Sequence, residues 1–331
     1  MPSPTFVFFV PFVVQGLGIA GAMTSAVVFA YHNVGARCLR VLLAHGIDVR
    51  LVVTHEDNPA ETLWFERVAD VARDYGLETA TPADVNAVDV VGRIRGLAPD
   101  FFFSFYYRQM LGAALLAVPA RGALNMHGSL LPRYRGRAPV NWAVLHGERE
   151  TGATLHYMAA KPDAGDMVAQ TAVPILPDDT ARDVFDKVTV AAEMTLDRVL
   201  PALAAGTAPR VPLDLAAGSY FGGRTAADGR IDWSQPARRI HDLVRAVAPP
   251  YPGATTTVAG APARLLRTRV LESAGPAQAA RLTIADGRCI ALCGGGGRLL
   301  VQPLEVDGAA VTPAGLAARF GRTDLPLGDA Q

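Results

Sequence analysis

The sequence has no surplus of either charge: 31 Lys and Arg face 31 Asp and Glu in 331 residues. A balanced chain has no bulk electrostatic footprint for nucleic acid, so only a local patch is left for such a partner. Cysteine is scarce as well. Three in this length exclude a disulfide framework, and Cys289 and Cys293 have no second Cys or His pair beside them to complete a zinc site. They read as incidental thiols of a strand pair, in keeping with a reducing cytoplasm, and no metal is expected. The phosphate loops of nucleotide enzymes are also missing. The turn His32-Asn33-Val34-Gly35 lacks Gly-x-Gly-x-x-Gly, and no Gly-x4-Gly-Lys-Ser/Thr occurs in the chain, which argues against nicotinamide and Walker-type chemistry. Finally, residues 1–22 contain no charge, although they are largely apolar and carry Pro2, Pro4 and Pro11. A signal peptide would open on basic residues, and Pro11 and Gln15 sit badly in a membrane helix of about 20 residues. The stretch reads as a disordered extension ahead of a domain that starts near Met23. No stable membrane insertion is expected, an anchor being the lesser alternative.

What the chain does have is ample apolar content, 50% of its residues, and room for two domains. Ser25 to Tyr31 is a continuous apolar run, as a central parallel strand requires. A helix from Arg37 to His45 follows, then a strand from Val49 to Thr54, and helices from Phe65 to Tyr75 and Val88 to Leu97. Strands from Asp100 to Tyr106 and Ala123 to His127 continue the alternation. This rhythm predicts an α/β domain built on a doubly wound parallel sheet. After a helix beyond Pro139, Thr151 to Met158 and Met167 to Ile175 read as paired strands. Thr180 with Asp183 then forms a capping pair opening a long helix that Gly206 and Pro209 close. The catalytic domain is therefore expected over residues 23–206, with a Pro/Ala-rich linker over 207–218. Short strands then recur from Gly229–Trp233 onward, punctuated by Asp286-Gly287 and by Gly294 to Gly297. They predict a small OB-like β-barrel over 219–315 and a tail over 316–331. No helix follows the glycine run, so it reads as a hairpin and not as a phosphate loop.

The richest stretch runs from Gly122 to Pro139. Side chains alternate along a strand, so Asn125 and His127 share one face at its carboxyl end, where open α/β sheets bind ligands. An amide beside an imidazole suits acyl transfer, one group holding an oxyanion and the other moving a proton. From the residues alone, a buried His capped by its neighbouring Asn fits equally well. Asp163, in the turn-rich loop Ala159 to Asp166, is placed to orient the imidazole and raise its pKa. A turn Asp bonding its own backbone is the commoner role of Asp-x-Gly.

Asn125-x-His127, Ser129-Leu-Leu-Pro132, Arg135-Gly136 and Asp163-x-Gly165 occur in an order that resembles the formyltransferases using 10-formyltetrahydrofolate. The resemblance extends to Ile231-Asp-Trp233 and to Arg245-Ala-Val-x-x-x-Tyr-Pro-Gly253. Three stretches, His127 to Trp142, Phe103 to Arg108 and Thr54 to Pro59, are most similar to one branch. That branch is the formyltransferase half of the bifunctional polymyxin-resistance protein, which formylates UDP-4-amino-4-deoxy-L-arabinose for lipid A modification. The resemblance implies a Rossmann-like formyltransferase fold, Asn125 as oxyanion donor, His127 as general acid/base and Asp163 as the group holding it basic. It also implies a folate donor lying against Gln109-Met110-Leu111 and Ala159-Ala160-Lys161-Pro162, with Arg137 at the cofactor or sugar-nucleotide face. No metal and no covalent enzyme intermediate are implied. The bifunctional relative has a decarboxylase half with no counterpart before Gln331, so that step is expected on another polypeptide. A homo-oligomer is left open.

Two rivals share the scaffold. Methionyl-tRNA formyltransferases carry a basic insertion where this chain has the short acidic stretch from His55 to Glu61, and the region after Pro212 has only a small excess of Arg over Asp and Glu. A formyltransferase acting on another nucleotide-linked amino sugar, such as a dTDP-4-amino-deoxyhexose, is less favoured by the motifs. A non-catalytic folate- or nucleotide-sensing module would have lost one of Asn125, His127 or Asp163, and all three are present.

Overall fold

Every residue of the first strand, Ser25–Ala30 (β1), is buried, as its unbroken apolar run requires of a strand covered on both faces. The computed structural model describes residues 23–58 and 63–328; the expected N-terminal extension over 1–22 and part of the acidic stretch lie outside them. From β1 the chain continues through α1 (His32–Ala44), β2 (Asp48–Val53), α2 (Val68–Asp74), β3 (Thr79–Ala80), α3 (Val88–Gly96), β4 (Phe101–Phe105), α4 (Ala113–Leu116) and β5 (Gly122–His127). Then come β6 (Arg135–Gly136), α5 (Pro139–Leu145), β7 (Glu150–Tyr157), β8 (Met167–Pro174) and α6 (Ala181–Ala205). The main sheet has the order β3-β2-β1-β4-β5-β7-β8. Its first five strands are parallel, whereas β7 and β8 add on antiparallel. Strand order therefore reverses between β1 and β4, and the crevice this opens lies beyond their carboxyl ends.

Alternation divides the sheet into two cores. Val28, Phe103, Leu124, Met126 and Leu155 pack with residues of α1 and α6. Phe29, Phe102 and Ala123 pack with Ile94 of α3 and Leu115 of α4. Since Leu124 and Met126 face the first core, Asn125 and His127 face the second side. Helix α6 opens as its sequence predicts: Thr180 accepts from the Asp183 amide, and Asp183 reaches back to the Thr180 amide. The turn expected at His32–Gly35 is instead the first turn of α1, with His32 in the left-handed region at φ 67°.

The linker and tail are corrections. Val211 exchanges backbone hydrogen bonds with Met167, and β9 (Tyr220–Phe221) pairs with β6, so residues 207–221 are tied to the first domain by strand-like contacts. The Gly229–Trp233 stretch forms no strand beyond one bridge between Arg230 and Thr255; its alternation reports the burial of Ile231 and Trp233. After α7 (Ala237–Ala246), the strands are β10 (Ala254–Val258), β11 (Ala261–Leu265), β12 (Thr268–Glu272), β13 (Arg281–Ala285), β14 (Arg288–Leu292), β15 (Arg298–Val301), β16 (Leu304–Val306) and β17 (Ala309–Val311). Helix α8 (Pro313–Phe320) and β18 (Asp324–Pro326) occupy the expected tail, with Leu316 buried and β18 paired to β13. The strands form two antiparallel sheets, β10-β11-β16-β17 and β12-β15-β14-β13-β18, around one shared core. Among the described residues they do not close into a single hydrogen-bonded cylinder. Between Leu265 and Thr268 the chain crosses from one sheet to the other, so β11 and β12 are separate strands. The glycine run joins β14 to β15 as a hairpin, and a Cβ on Gly296 would lie 2.2 Å from the Gly275 carbonyl oxygen.

Five histidines are held below their ordinary 6.5, burial being the first cause in each: His32 at about 3, His55 at about 4, and His127, His146 and His241 downward. The unfolded chain binds more protons than the folded one below pH 6.5, so stability is full above that value and is lost as pH falls toward 4. The thermal midpoint should already drop between pH 6.5 and 5, above the carboxylate range. A midpoint flat over that interval would contradict the burial of these rings.

Candidate active site

Strand β5 ends at His127, whose ring is pinned from two sides. Its Nε2 lies 2.8 Å from the Tyr134 carbonyl oxygen, and its Nδ1 lies 3.6 Å from Asp163 Oδ1. A carbonyl only accepts, so Nε2 carries the hydrogen and the neutral ring presents a lone pair at Nδ1. At 3.6 Å the two lie beyond hydrogen-bond distance, and the contact becomes an ion pair once Nδ1 takes a proton. Asp163 is held in turn by the Gly136 amide, which donates to Oδ2 at 2.9 Å. Both Tyr134 and Asp163 have positive φ, 58° and 51°. Strain of this kind persists only where the surroundings over-determine the backbone.

The surroundings do so through the Ser-Leu-Leu-Pro segment. Thr154 Oγ1, fully buried on β7, donates to the Ser129 carbonyl at 2.6 Å and accepts from the Leu131 amide at 3.2 Å and from Gln170 Nε2 at 2.7 Å. Ser129 Oγ donates to the Arg133 carbonyl at 2.7 Å. From below, Ser219 braces the same loop: its Oγ accepts from the Tyr134 amide at 2.8 Å, and its backbone bonds Pro132 and Arg135. The Asp163 loop folds back tightly over β7, for a Cβ on Gly165 would sit 2.0 Å from the Tyr157 carbonyl oxygen. That is why glycine stands two positions after the carboxylate.

A second histidine, absent from the sequence reading, completes the cluster. His156 is paired with Asn125 across β5 and β7 and is 1% exposed. Its Nδ1 donates to the Tyr157 carbonyl at 2.8 Å, and its Nε2 lies 3.2 Å from Asn125 Nδ2 and 3.5 Å from Asp163 Oδ1. The alternation of Gly152, Thr154 and His156 along β7 was a signal that could have found it.

The electrostatics depart from expectation in one respect. Asp163 does raise the His127 pKa, as does the Tyr134 carbonyl, but burial lowers it more and His156 adds to the lowering. The ring is therefore neutral at pH 7 and ready to accept a proton. For Asp163, burial pushes upward, but the neighbouring His127 and the hydrogen bond from the Gly136 amide oppose it, and the carboxyl is held at about 2.

The expected folate-facing residues divide. Gln109 is a structural bolt: its Oε1 accepts from the Val85 amide at 2.9 Å and its Nε2 donates to the Pro82 and Ala83 carbonyls. Leu111 is 4% exposed and packs in the second core. Met110 is exposed, as are Ala159, Ala160 and Lys161, with Pro162 half-buried. Tyr107 and Met158, which precede the two segments, pack against the same core as Leu111. Arg137 is exposed, its amide bonded to the Phe221 carbonyl. Arg135 is buried between the two residues that grip His127 and Asp163, and its Nε and one terminal nitrogen have no hydrogen-bond partner. Among the described residues no group of three His, Cys, Asp or Glu side chains is arranged to hold a metal, and no helix is long and apolar enough to cross a membrane.

Known proteins share this arrangement of domains. Residues 27–200 match the formyl transferase family and residues 224–320 its C-terminal domain. Among solved structures, the chain is similar to WlaRD, a sugar 3N-formyltransferase crystallised with dTDP and 5-N-formyl-THF, at 18% identity and a TM-score of 0.66 over 85% of this chain and 98% of that one. It is similar to an N-formyltransferase from Helicobacter canadensis in complex with folinic acid and dTDP-3-aminofucose, at 16% identity and a TM-score of 0.65 over 85% and 99%. A 4-N formyltransferase from Francisella tularensis aligns at 20% identity and a TM-score of 0.58 over 71% and 93%. The chain belongs to the formyl transferase family.

Proposed function

We propose that the protein transfers the formyl group of 10-formyltetrahydrofolate to the amine of a nucleotide-linked amino sugar. The observation that carries this reading is the convergence of Asn125, His127 and Asp163 at the carboxyl end of β5, with His127 neutral and Asp163 ionised. The uncharged amine attacks the formyl carbon, forming a carbon–nitrogen bond. The developing oxyanion takes a hydrogen bond from Asn125 Nδ2. His127 Nδ1 accepts the amine proton, becoming an imidazolium that Asp163 stabilises, and returns it to the departing folate nitrogen as the old carbon–nitrogen bond breaks. The folate lies along Met110 and the loop from Ala159 to Pro162, with Gln109 and Leu111 supporting that surface from behind, and Arg137 serves the exposed side.

The motif set favours UDP-4-amino-4-deoxy-L-arabinose as acceptor, and with it a role in lipid A modification and resistance to polymyxin. The likeness to WlaRD and to the Helicobacter canadensis enzyme favours a dTDP-linked amino sugar as the second reading. Formyl transfer measured side by side with UDP- and dTDP-linked amino sugars and with methionyl-tRNA tests both. The UDP-4-amino sugar is expected to give the highest kcat/KM and the tRNA none. Preference for a dTDP sugar would overturn the first acceptor assignment, and turnover on tRNA alone would overturn both.

A further inference from the structure

We infer that His156 is a positioning residue for the transfer step, acting through the Asn125 amide. The inference rests on reading Asn125 as the oxyanion donor. The Tyr157 carbonyl, 2.8 Å from Nδ1, places a hydrogen on that nitrogen, which leaves Nε2 as the acceptor. Only the amide nitrogen of Asn125 can face that lone pair, and it does so at 3.2 Å. One of its two N–H groups is thereby engaged and the other is left for the substrate. A half-turn of the amide would swap its ends and present a carbonyl oxygen to the developing oxyanion, which is repulsive. An amide has no intrinsic preference between these orientations, and His156 supplies one. Its near-complete burial keeps water from substituting for it. The charged group facing it is Asp163 at 3.5 Å from β7's following loop, with His127 on the neighbouring strand.

The test pairs two replacements at residue 156. His156→Leu removes the acceptor. His156→Gln retains one, since its Oε1 can take the same hydrogen bond. The Leu protein is expected to lose kcat by roughly 10²-fold, the usual cost of a misplaced catalytic group, with KM for both substrates within about threefold of wild type. The Gln protein should recover most of that rate. In addition, Asn125→Ala should cost far less in the His156→Leu background than in the wild type, because the two residues act as one unit. His156→Met serves in place of Leu if that chain does not fold. Additive effects, equal losses in the Leu and Gln proteins, or a folded Leu protein with wild-type kcat would each overturn the inference. Wild-type activity in Asn125→Ala itself would instead overturn the site reading on which it rests.

Discussion

The His127→Ala protein should transfer formyl groups on the order of 10²–10⁴ times more slowly than wild type, the range a single general acid/base contributes. The loss should fall on kcat, because the buried ring has few contacts left for binding. Its Nε2 is committed to the Tyr134 carbonyl and its Nδ1 faces Asp163. The same geometry fixes the pH dependence. Burial holds the ring below 6.5, so the acid limb of the kcat profile should lie below that value. Asp163 opposes the lowering, so Asp163→Asn should move the limb to still lower pH while also reducing kcat, because the imidazolium then has no counter-ion. A rate that is slower in Asp163→Asn, with the limb displaced upward, would show that the carboxylate acts on some other group. Full activity in His127→Ala would falsify the base assignment outright.

Arg245→Ala should be strongly destabilising, by about 3 kcal/mol, the low end of the cost of breaking a buried ion pair, because Asp242 keeps the partly exposed Arg238 at 3.3 Å from its other oxygen. Arg245 and Asp242 lie one turn apart on α7, both side chains 3% exposed, with Nε donating to Oδ1 at 2.8 Å. The remaining guanidinium nitrogens reach the carbonyls of Val144, in α5, and Asp179, before α6. Asn141 of α5 donates to the Ala246 carbonyl, and His241 Nε2 donates to the Pro177 carbonyl. The helix is thus fastened to the catalytic domain by polar groups with no solvent to replace them. Replacing both members by apolar residues, as Asp242→Leu with Arg245→Met, should restore most of the loss, since the one cation left without its partner, Arg238, is solvent-exposed. Denaturation of the two singles and the double would measure this. A double replacement as unstable as Arg245→Ala would mean that the backbone hydrogen bonds, and not the stranded carboxylate, carry the effect.

The parts of this molecule that were legible in sequence are those whose signal is periodic or local. The alternation of β5 places Asn125 and His127 on one face without reference to any other segment, and Thr180 with Asp183 reports a helix start by the spacing of two side chains. Asp163 became readable only through its resemblance to a family pattern. The carbonyl of Tyr134 was invisible, because every residue has one and only the strained backbone at that position aims it. Ser219 was invisible for another reason: it directly follows a segment whose composition resembles a passive connector, and its partners lie far away in sequence. Strands of three residues, such as β16 and β18, are too short to show a period. Their pairing is decided by the two sheets they complete. The sign of the His127 shift could not be read either, since it depends on how much burial outweighs one neighbouring charge.

Ser219 and β9 also bear on how enzymes of this design can be recombined. A chimera joining the first domain of one relative to the second of another at the close of α6 would leave the foreign partner to supply the residues beneath Tyr134 and Arg135. The reactive machinery would then be assembled from two parents even though every acid, base and donor came from one. A seam placed after Phe221 keeps the whole apparatus of a single lineage together.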